Sequence, residues 1–264
     1  MTQVWLNGAL MAEEQARIAP ADRGLLLGDG LFETLRVDSG RPRYLDRHLA
    51  RLRAGAAVLD LPVPLDDAGI AAAMAALLHA RGLENASLRL TLTRGPGPRG
   101  LLPPAEPTPT LLITAAPLPP PLPPARVVVA ACTRRNEHSP LSRIKSLSYL
   151  DGVLARQEAA RRGADDALLL NTAGRVAEAS AANLFLVLDG TLVTPPVSEG
   201  ALPGVLRAAV MEAFAVEERA VSVADVARAE EVFLTSSLGV RPVVAVDGRP
   251  VETGAWTAEV AGAV

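Results

Sequence analysis

The chain has 264 residues, 49% of them hydrophobic but only 3% aromatic, and a formal net charge of −3. That length and apolar content allow one large domain or two modest ones with real cores. The pI near 5.7 and the scarcity of rings exclude a polyanion-binding surface or a nucleic-acid stacking platform. A single cysteine, Cys132, allows no internal disulfide and no metal cluster. No stretch spans a bilayer and no basic-then-apolar leader is visible, so a soluble cytoplasmic protein is expected.

In chain order, Val4 to Leu10 reads as a hairpin turning at Asn7-Gly8. Leu31 to Val37 and Arg41 to Leu45 read as strands joined by Asp38-Ser39-Gly40, and the Gly28-Asp29-Gly30 before them as a turn. Helical periodicity covers Asp46 to Leu59 and Asp66 to Arg81. Strands are predicted at Ser87 to Thr93 and Thr110 to Ala115. The run from Pro117 to Pro124 holds too many prolines for a helix or central strand. It marks a linker, 117–124, between a smaller N-terminal α+β domain, 1–116, and a larger C-terminal domain, 125–264.

Beyond the linker, Val127 to Ala131 reads as a strand, and Cys132, closing that apolar run, as a core residue. A helix follows from Tyr149 to Arg162, then strands at Ala167 to Leu170, Arg175 to Ala177, Leu184 to Leu188 and Leu192 to Thr194. Helices are predicted at Pro203 to Phe214 and Ser222 to Ala229, strands at Val232 to Thr235 and Val243 to Val246, and a short helix at the end. Strands and helices mix without regular βαβ alternation, which makes the class α+β. The three histidines, His48, His79 and His138, show no metal-ligand spacing and read as surface or structural residues.

Two residues stand out for chemistry. Lys145, in Ile144-Lys145-Ser146-Leu147, precedes a helix, and Glu178 follows a short strand ahead of the small residues Ala179, Ser180 and Ala181. Singly, each reads more readily as a solvated side chain. Together they are the pair that pyridoxal 5'-phosphate (PLP) chemistry needs: an amine to hold the aldehyde as a Schiff base, and an acid to hold the ring nitrogen. The small residues would let a planar ring approach the backbone. Anion donors are available at the helix start Leu202-Pro203-Gly204-Val205-Leu206 and at Thr235-Ser236-Ser237, with Arg51 as a cation.

Taken in order, GDGLFETLRV (28–37), HLARL (48–52), TRGPGPRG (93–100), IKSLSYL (144–150), EASAANLF (178–185), LPGVLR (202–207) and TSSLGVRPV (235–243) resemble the class IV aminotransferases. These fold-type IV PLP enzymes include D-amino-acid, branched-chain and (R)-amine transaminases and the 4-amino-4-deoxychorismate lyases. The resemblance implies a two-domain, D-amino-acid aminotransferase-like α+β fold with the cofactor between the domains, and a homodimer. It makes Lys145 the Schiff-base lysine and proton shuttle and Glu178 the ring-nitrogen partner, with Ser180 and Ala181 beside the cofactor. Arg51, the backbone around Gly204, Val205 and Leu206, and the hydroxyl of Ser236 or Ser237 would bind phosphate.

IKSLSYLDGV looks most like the D-amino-acid transaminases, which trap the substrate carboxylate with a tyrosine, an arginine and a histidine. Here Arg99 matches the arginine, but Phe32 and Leu101 occupy the other two positions. Phe32, Thr34 and Arg36 share a strand face, and Arg36 or Arg99 is expected to meet a carboxylate. The leading expectation is transfer of an amino group from a D-amino acid or (R)-amine to a 2-oxo acid. The alternative is the lyase, favoured by Thr34, Leu206 and the RGPGPRG loop. A non-catalytic PLP carrier is the rival from another class.

Overall fold

The computed structural model describes residues 2–264, which divide into two compact units. The first runs up to Pro120 and takes in Ile144–Ser148; the second comprises Pro121–Arg143 and Tyr149–Val264. The changeover therefore falls inside the proline run, but 125–264 is not a single unit. Ile144–Ser148 joins the first because it pairs with a strand there: Phe32 N–H donates to Lys145 O (2.9 Å) and Leu147 N–H to Gly30 O (3.0 Å).

In the first unit, β1 (Gln3–Leu6) and β2 (Ala9–Ala12) form the expected hairpin, with Asn7 (φ 47°) and Gly8 (φ 99°) both left-handed. A short helix, α1 (Arg23–Leu27), precedes β3 (Gly30–Asp38) and β4 (Arg41–Pro42). The second predicted strand stops at Pro42, because Tyr44 turns the backbone left-handed (φ 51°) and α2 (Leu45–Val58) begins at once. Then come α3 (Asp67–Arg81), capped by Asp66, and β5 (Ala86–Thr93) and β6 (Thr110–Pro117). The six strands run β2-β1-β6-β5-β3-β4, antiparallel throughout. Leu31, Leu35, Leu88, Leu90, Leu92, Leu111 and Ile113 of the sheet pack with Leu52, Ile70, Met74 and Leu77 of α2 and α3, each fully buried side chain contributing about 1.5–3 kcal/mol.

The second unit contains β7 (Ala125–Val129), α4 (Leu150–Arg161), β8 (Asp166–Leu170), β9 (Val176–Ala179), β10 (Asn183–Leu188), β11 (Thr191–Thr194), α5 (Val205–Ala213), β12 (Val216–Glu218), α6 (Val223–Arg228), β13 (Glu231–Ser236), β14 (Gly239–Val246), β15 (Arg249–Pro250) and α7 (Ala255–Ala263). Its sheet runs β12-β11-β10-β13-β14-β7-β8-β9, with β15 on β14. Parallel pairs (β11 with β12, β14 with β7, β7 with β8) stand among antiparallel ones. The interior strand β10 is buried along its whole length. Cys132 is exposed, not a core residue: β7 ends at Val129, and Cys132 N–H, outside the ladder, bonds Glu158 (2.9 Å). Among the described residues no helix is long and apolar enough to cross a membrane.

Candidate active site

Lys145 is set in place through its backbone. Its carbonyl accepts from Phe32, Leu147 N–H reaches Gly30 O, and Ser146 bridges Leu31, so the segment lies along the start of β3. Ile144 beside it is buried against Leu31 and the core. Gly30 must be glycine: a Cβ there would lie 2.4 Å from Leu92 O and 2.8 Å from the Leu147 side chain. The Lys145 side chain is half-buried, and its Nζ lies over the Phe32 ring, 4.3 Å from the centroid.

β3 is amphipathic with period two. Leu31, Glu33, Leu35 and Val37 are buried on one face, and Phe32, itself buried, shares the other with the half-buried Thr34 and Arg36. Arg36 Nε donates to both carboxylate oxygens of Asp38 (2.8 and 3.0 Å). Arg99 is exposed on its loop. Arg89 is not among the residues to which the sequence pointed. It stands opposite Thr34 in the β3–β5 register, and its guanidinium lies 3.9 Å from the Phe32 ring centroid. Lys145 and Arg89 thus meet the same ring. The missed signal was the alternation Ser87, Arg89, Thr91 on β5.

Arg51, on α2, pairs with Glu33: Nε to Oε1 at 2.8 Å and Nη2 to Oε2 at 2.6 Å. His48, one turn earlier, reaches Glu33 Oε2 at 2.7 Å and is buried. Burial pushes the Glu33 carboxyl up, but hydrogen bonds and charge from Arg51 and His48 outweigh it and hold it below the usual range. His48 is therefore structural, as expected, and Glu33 orients Arg51.

The Gly28-Asp29-Gly30 turn contains a carboxylate hub. Asp29 binds Arg23 (2.8 Å) and Arg94 (2.8 Å). Arg23 then donates to the carbonyls of Gly100 (3.0 Å) and Leu101 (2.7 Å), tying down the loop that carries Arg99.

In the second unit Glu178 lies within β9, opposite Leu169 of β8, not past a strand end. The strand runs on to Ala179, past its predicted end at Ala177. Glu178 is buried, 8% exposed. Its Oε2 accepts from Leu202 N–H (2.9 Å) and Asn183 Nδ2 (3.3 Å), and its Oε1 faces Arg135 Nη2 at 3.1 Å. Arg135 and Asn183 were not singled out as partners of Glu178, because only the tertiary structure brings them to it.

Asn183 Nδ2 also donates to Leu202 O (2.8 Å). It presses on Gly204, where a Cβ would lie 1.9 Å from Asn183 Oδ1. Gly204 caps α5, whose first residues are Val205 and Leu206; the opening N–H groups of a helix have no intrahelical acceptor. The Ser180 hydroxyl donates to Asp166, which Arg156 also binds (2.6 Å); Ala181 is exposed. Ser236 ends β13, and its Oγ accepts from Leu238 N–H (3.3 Å); Ser237 follows, half-buried. Thr235 pairs in register with Asn183, and its buried Oγ1 has no hydrogen-bond partner. Among the described residues no group of side chains forms a metal site.

The sequence profile of the family described as amino-transferase class IV matches residues 30–246, most of the chain. The chain belongs to the class IV aminotransferases. A Methanocaldococcus jannaschii protein, provisionally named a branched-chain-amino-acid aminotransferase, is 35% identical over 257 residues, 94% of this chain and 89% of its own length. A Bacillus licheniformis D-alanine aminotransferase is 30% identical over 96% of this chain and 91% of its own. Among solved structures, the Pseudomonas aeruginosa 4-amino-4-deoxychorismate lyase is 39% identical, with a TM-score of 0.85 over 97% of this chain and 96% of its own. A branched-chain amino acid aminotransferase from T.th., solved with pyridoxamine 5'-phosphate, is 25% identical, with a TM-score of 0.92 over 99% of this chain and 92% of its own. The fold is that of the fold-type IV PLP enzymes, and this class IV aminotransferase is an enzyme whose cofactor is PLP.

The residues present fit that group. A buried hydroxyl without a partner costs about 1–3 kcal/mol, and Thr235 Oγ1 is such a donor. It stands where β13 meets Asn183, the residue that contacts Gly204 at the start of α5. A phosphate is an acceptor suited to hydroxyls and helix-start N–H groups together.

Proposed function

We propose that this class IV aminotransferase moves an amino group from a D-amino acid or (R)-amine to a 2-oxo acid. The observation that supports it most is the Phe32 ring, which carries the Lys145 amine on one contact and the Arg89 guanidinium on another. An amine for the carbonyl carbon and a cation for a carboxylate are the two functions that an amino or 2-oxo acid demands. Arg89 joins Arg36 and Arg99 as a carboxylate contact. Phe32 and Thr34 supply the rest of that substrate-facing surface.

PLP, when bound, supplies an electron sink that makes the substrate Cα–H acidic. Lys145 would hold the cofactor covalently and, once released, carry the proton between the substrate Cα and the cofactor C4′. Glu178 would keep a proton on the ring nitrogen, helped by donors that leave its carboxylate an acceptor. Arg51, oriented by Glu33, the N–H groups of Val205 and Leu206, and the hydroxyls of Thr235, Ser236 and Ser237 would hold the phosphate. Gly204 leaves room for Asn183 at the helix start, and Ser180 and Ala181 would stand beside the cofactor. The reaction is proposed to run in the cytoplasm and in a homodimer, for which light scattering should give twice the 27.5 kDa chain mass.

The test is a half-reaction of the PLP-loaded protein with D-alanine, D-glutamate and (R)-1-phenylethylamine, beside L-valine. Loss of the visible cofactor band and growth of the pyridoxamine band with the first three supports the proposal. A response to L-valine alone replaces the donor with a branched-chain L-amino acid, in line with the Methanocaldococcus jannaschii relative. A second reading, the lyase, is favoured by the 39% identity to the Pseudomonas aeruginosa lyase. Pyruvate release from aminodeoxychorismate, with no response to any amine, would establish it instead.

A further inference from the structure

We infer that Arg135 is a positioning residue that holds Glu178 as the oriented, anionic partner of the cofactor ring nitrogen. The inference rests on the proposed contact of Glu178 with that nitrogen and adds to it a second residue.

Glu178 is a buried carboxylate, and an ionised carboxylate in such a place is costly unless paired and hydrogen-bonded. Its two oxygens are served differently. Oε2 accepts from neutral donors, Leu202 N–H at 2.9 Å and Asn183 Nδ2 at 3.3 Å. Oε1 faces a cation, the Arg135 guanidinium at 3.1 Å. A carboxylate oxygen accepts more than one donor, so a ring N–H can be met without displacing these.

Arg135 is itself held firmly enough to orient something else. Its Nε donates to Gly200 O (3.1 Å) and its Nη2 to Ser142 O (2.9 Å). Its own N–H bonds Leu170 O (2.8 Å), on the strand beside the one that carries Glu178. The guanidinium therefore has its fork spread over two carbonyls and one carboxylate. A planar five-donor group suits that task, and an ammonium does not. Gly200 closes the short 3-10 turn Val197–Glu199, just ahead of Leu202 and Gly204. One side chain thus ties the ring-nitrogen acid to the segment that enters α5.

The experiment compares the affinity of the apoenzyme for PLP with its affinity for the 1-deaza analogue, which lacks the ring nitrogen. The ratio isolates the nitrogen contact, because a general loosening of the site weakens both ligands alike. Wild type is expected to prefer PLP. Arg135→Gln is expected to lower that preference about tenfold, the size of one lost charge-assisted hydrogen bond. Arg135→Lys, which keeps the charge but cannot reach Gly200, Ser142 and Glu178 together, should give an intermediate ratio. If Arg135→Gln does not fold, Arg135→Lys decides alone, and a wild-type ratio in it overturns the inference. A wild-type or raised ratio in folded Arg135→Gln, beside a lowered one in Glu178→Gln, also overturns it. A wild-type ratio in Glu178→Gln removes the ring-nitrogen contact itself, a different failure from that of Arg135.

Discussion

Lys145 and Glu178 are fixed by opposite means. The lysine is held by its backbone: Phe32, Gly30 and Leu31 pair with the peptide groups around it, while the amine at its tip lies over a ring. The glutamate is held by its side chain, with Arg135, Asn183 and Leu202 all directed at the carboxylate. The difference follows from the work proposed for each. A group that forms and releases a bond and then carries a proton needs a root that stays in place while its amine changes partners. A group that only stabilises charge works best when its charged end does not move.

Removing the lysine amine should have the largest effect. Lys145→Ala is expected to abolish turnover and the visible band of the bound cofactor while leaving the melting temperature near wild type, since the anchoring bonds are made by the backbone. Full activity in that variant would end the PLP-lysine reading. Glu178→Gln comes next: kcat should drop on the order of a hundredfold, as for loss of one preorganised electrostatic partner at a reacting group. An unchanged kcat would mean that the fixed carboxylate does not serve the ring.

Arg89→Ala tests the first unit's cation. KM for 2-oxo acids should rise about tenfold, one charge-assisted contact, with little change for an amine donor that has no carboxylate. If Arg36→Ala and Arg99→Ala raise KM instead and Arg89→Ala does not, those two arginines meet the carboxylate and Arg89 does not. Gly204→Ala strikes the packing behind the fixed carboxylate. The clash with Asn183 Oδ1 should destabilise by about 1–3 kcal/mol, read as a lower melting temperature and weaker PLP binding.

The smallest expected effect is a pH effect beside Arg135. Hydrogen bonds from the Thr172 backbone and hydroxyl hold the Glu137 carboxyl at about 2, below its ordinary 4.5. A carboxyl lowered on folding adds stability that is fully present above its unfolded value and is lost as pH falls towards its folded one. Glu137→Gln should therefore flatten the fall in melting temperature between about pH 4.5 and 2. Glu158, also held at about 2, by the Cys132 thiol and the N–H groups of Cys132 and Ala131, contributes in the same window. An unchanged slope in Glu137→Gln and in Glu158→Gln would mean that neither carboxyl is held so.

Much of the architecture was legible because its signals are local. Asn7-Gly8 demanded a hairpin turn, the period from Asp66 to Arg81 marked a helix, and the prolines around Pro120 marked where one unit gives way to the other. Other features were not legible, each for a physical reason. α1 has five residues and buries only Arg23, too little to leave a period. Cys132 follows an apolar run but lies beyond the strand end, where its N–H turns to Glu158. Ile144–Ser148 carries no strand pattern, because a single short pairing with β3 orders it.

The amino-acid sequence by itself determined the family and the α+β class, and it pointed to the proposed amine, Lys145, and acid, Glu178, since these readings reside in residue types and short spacings. Only the tertiary structure decided which groups surround them. Glu33 meets Arg51, Arg89 meets the ring under Lys145, and Arg135 meets Glu178 through sheet register and long-range packing. A carboxylate's partner is whatever cation the fold brings within hydrogen-bond reach, and no local period encodes that distance.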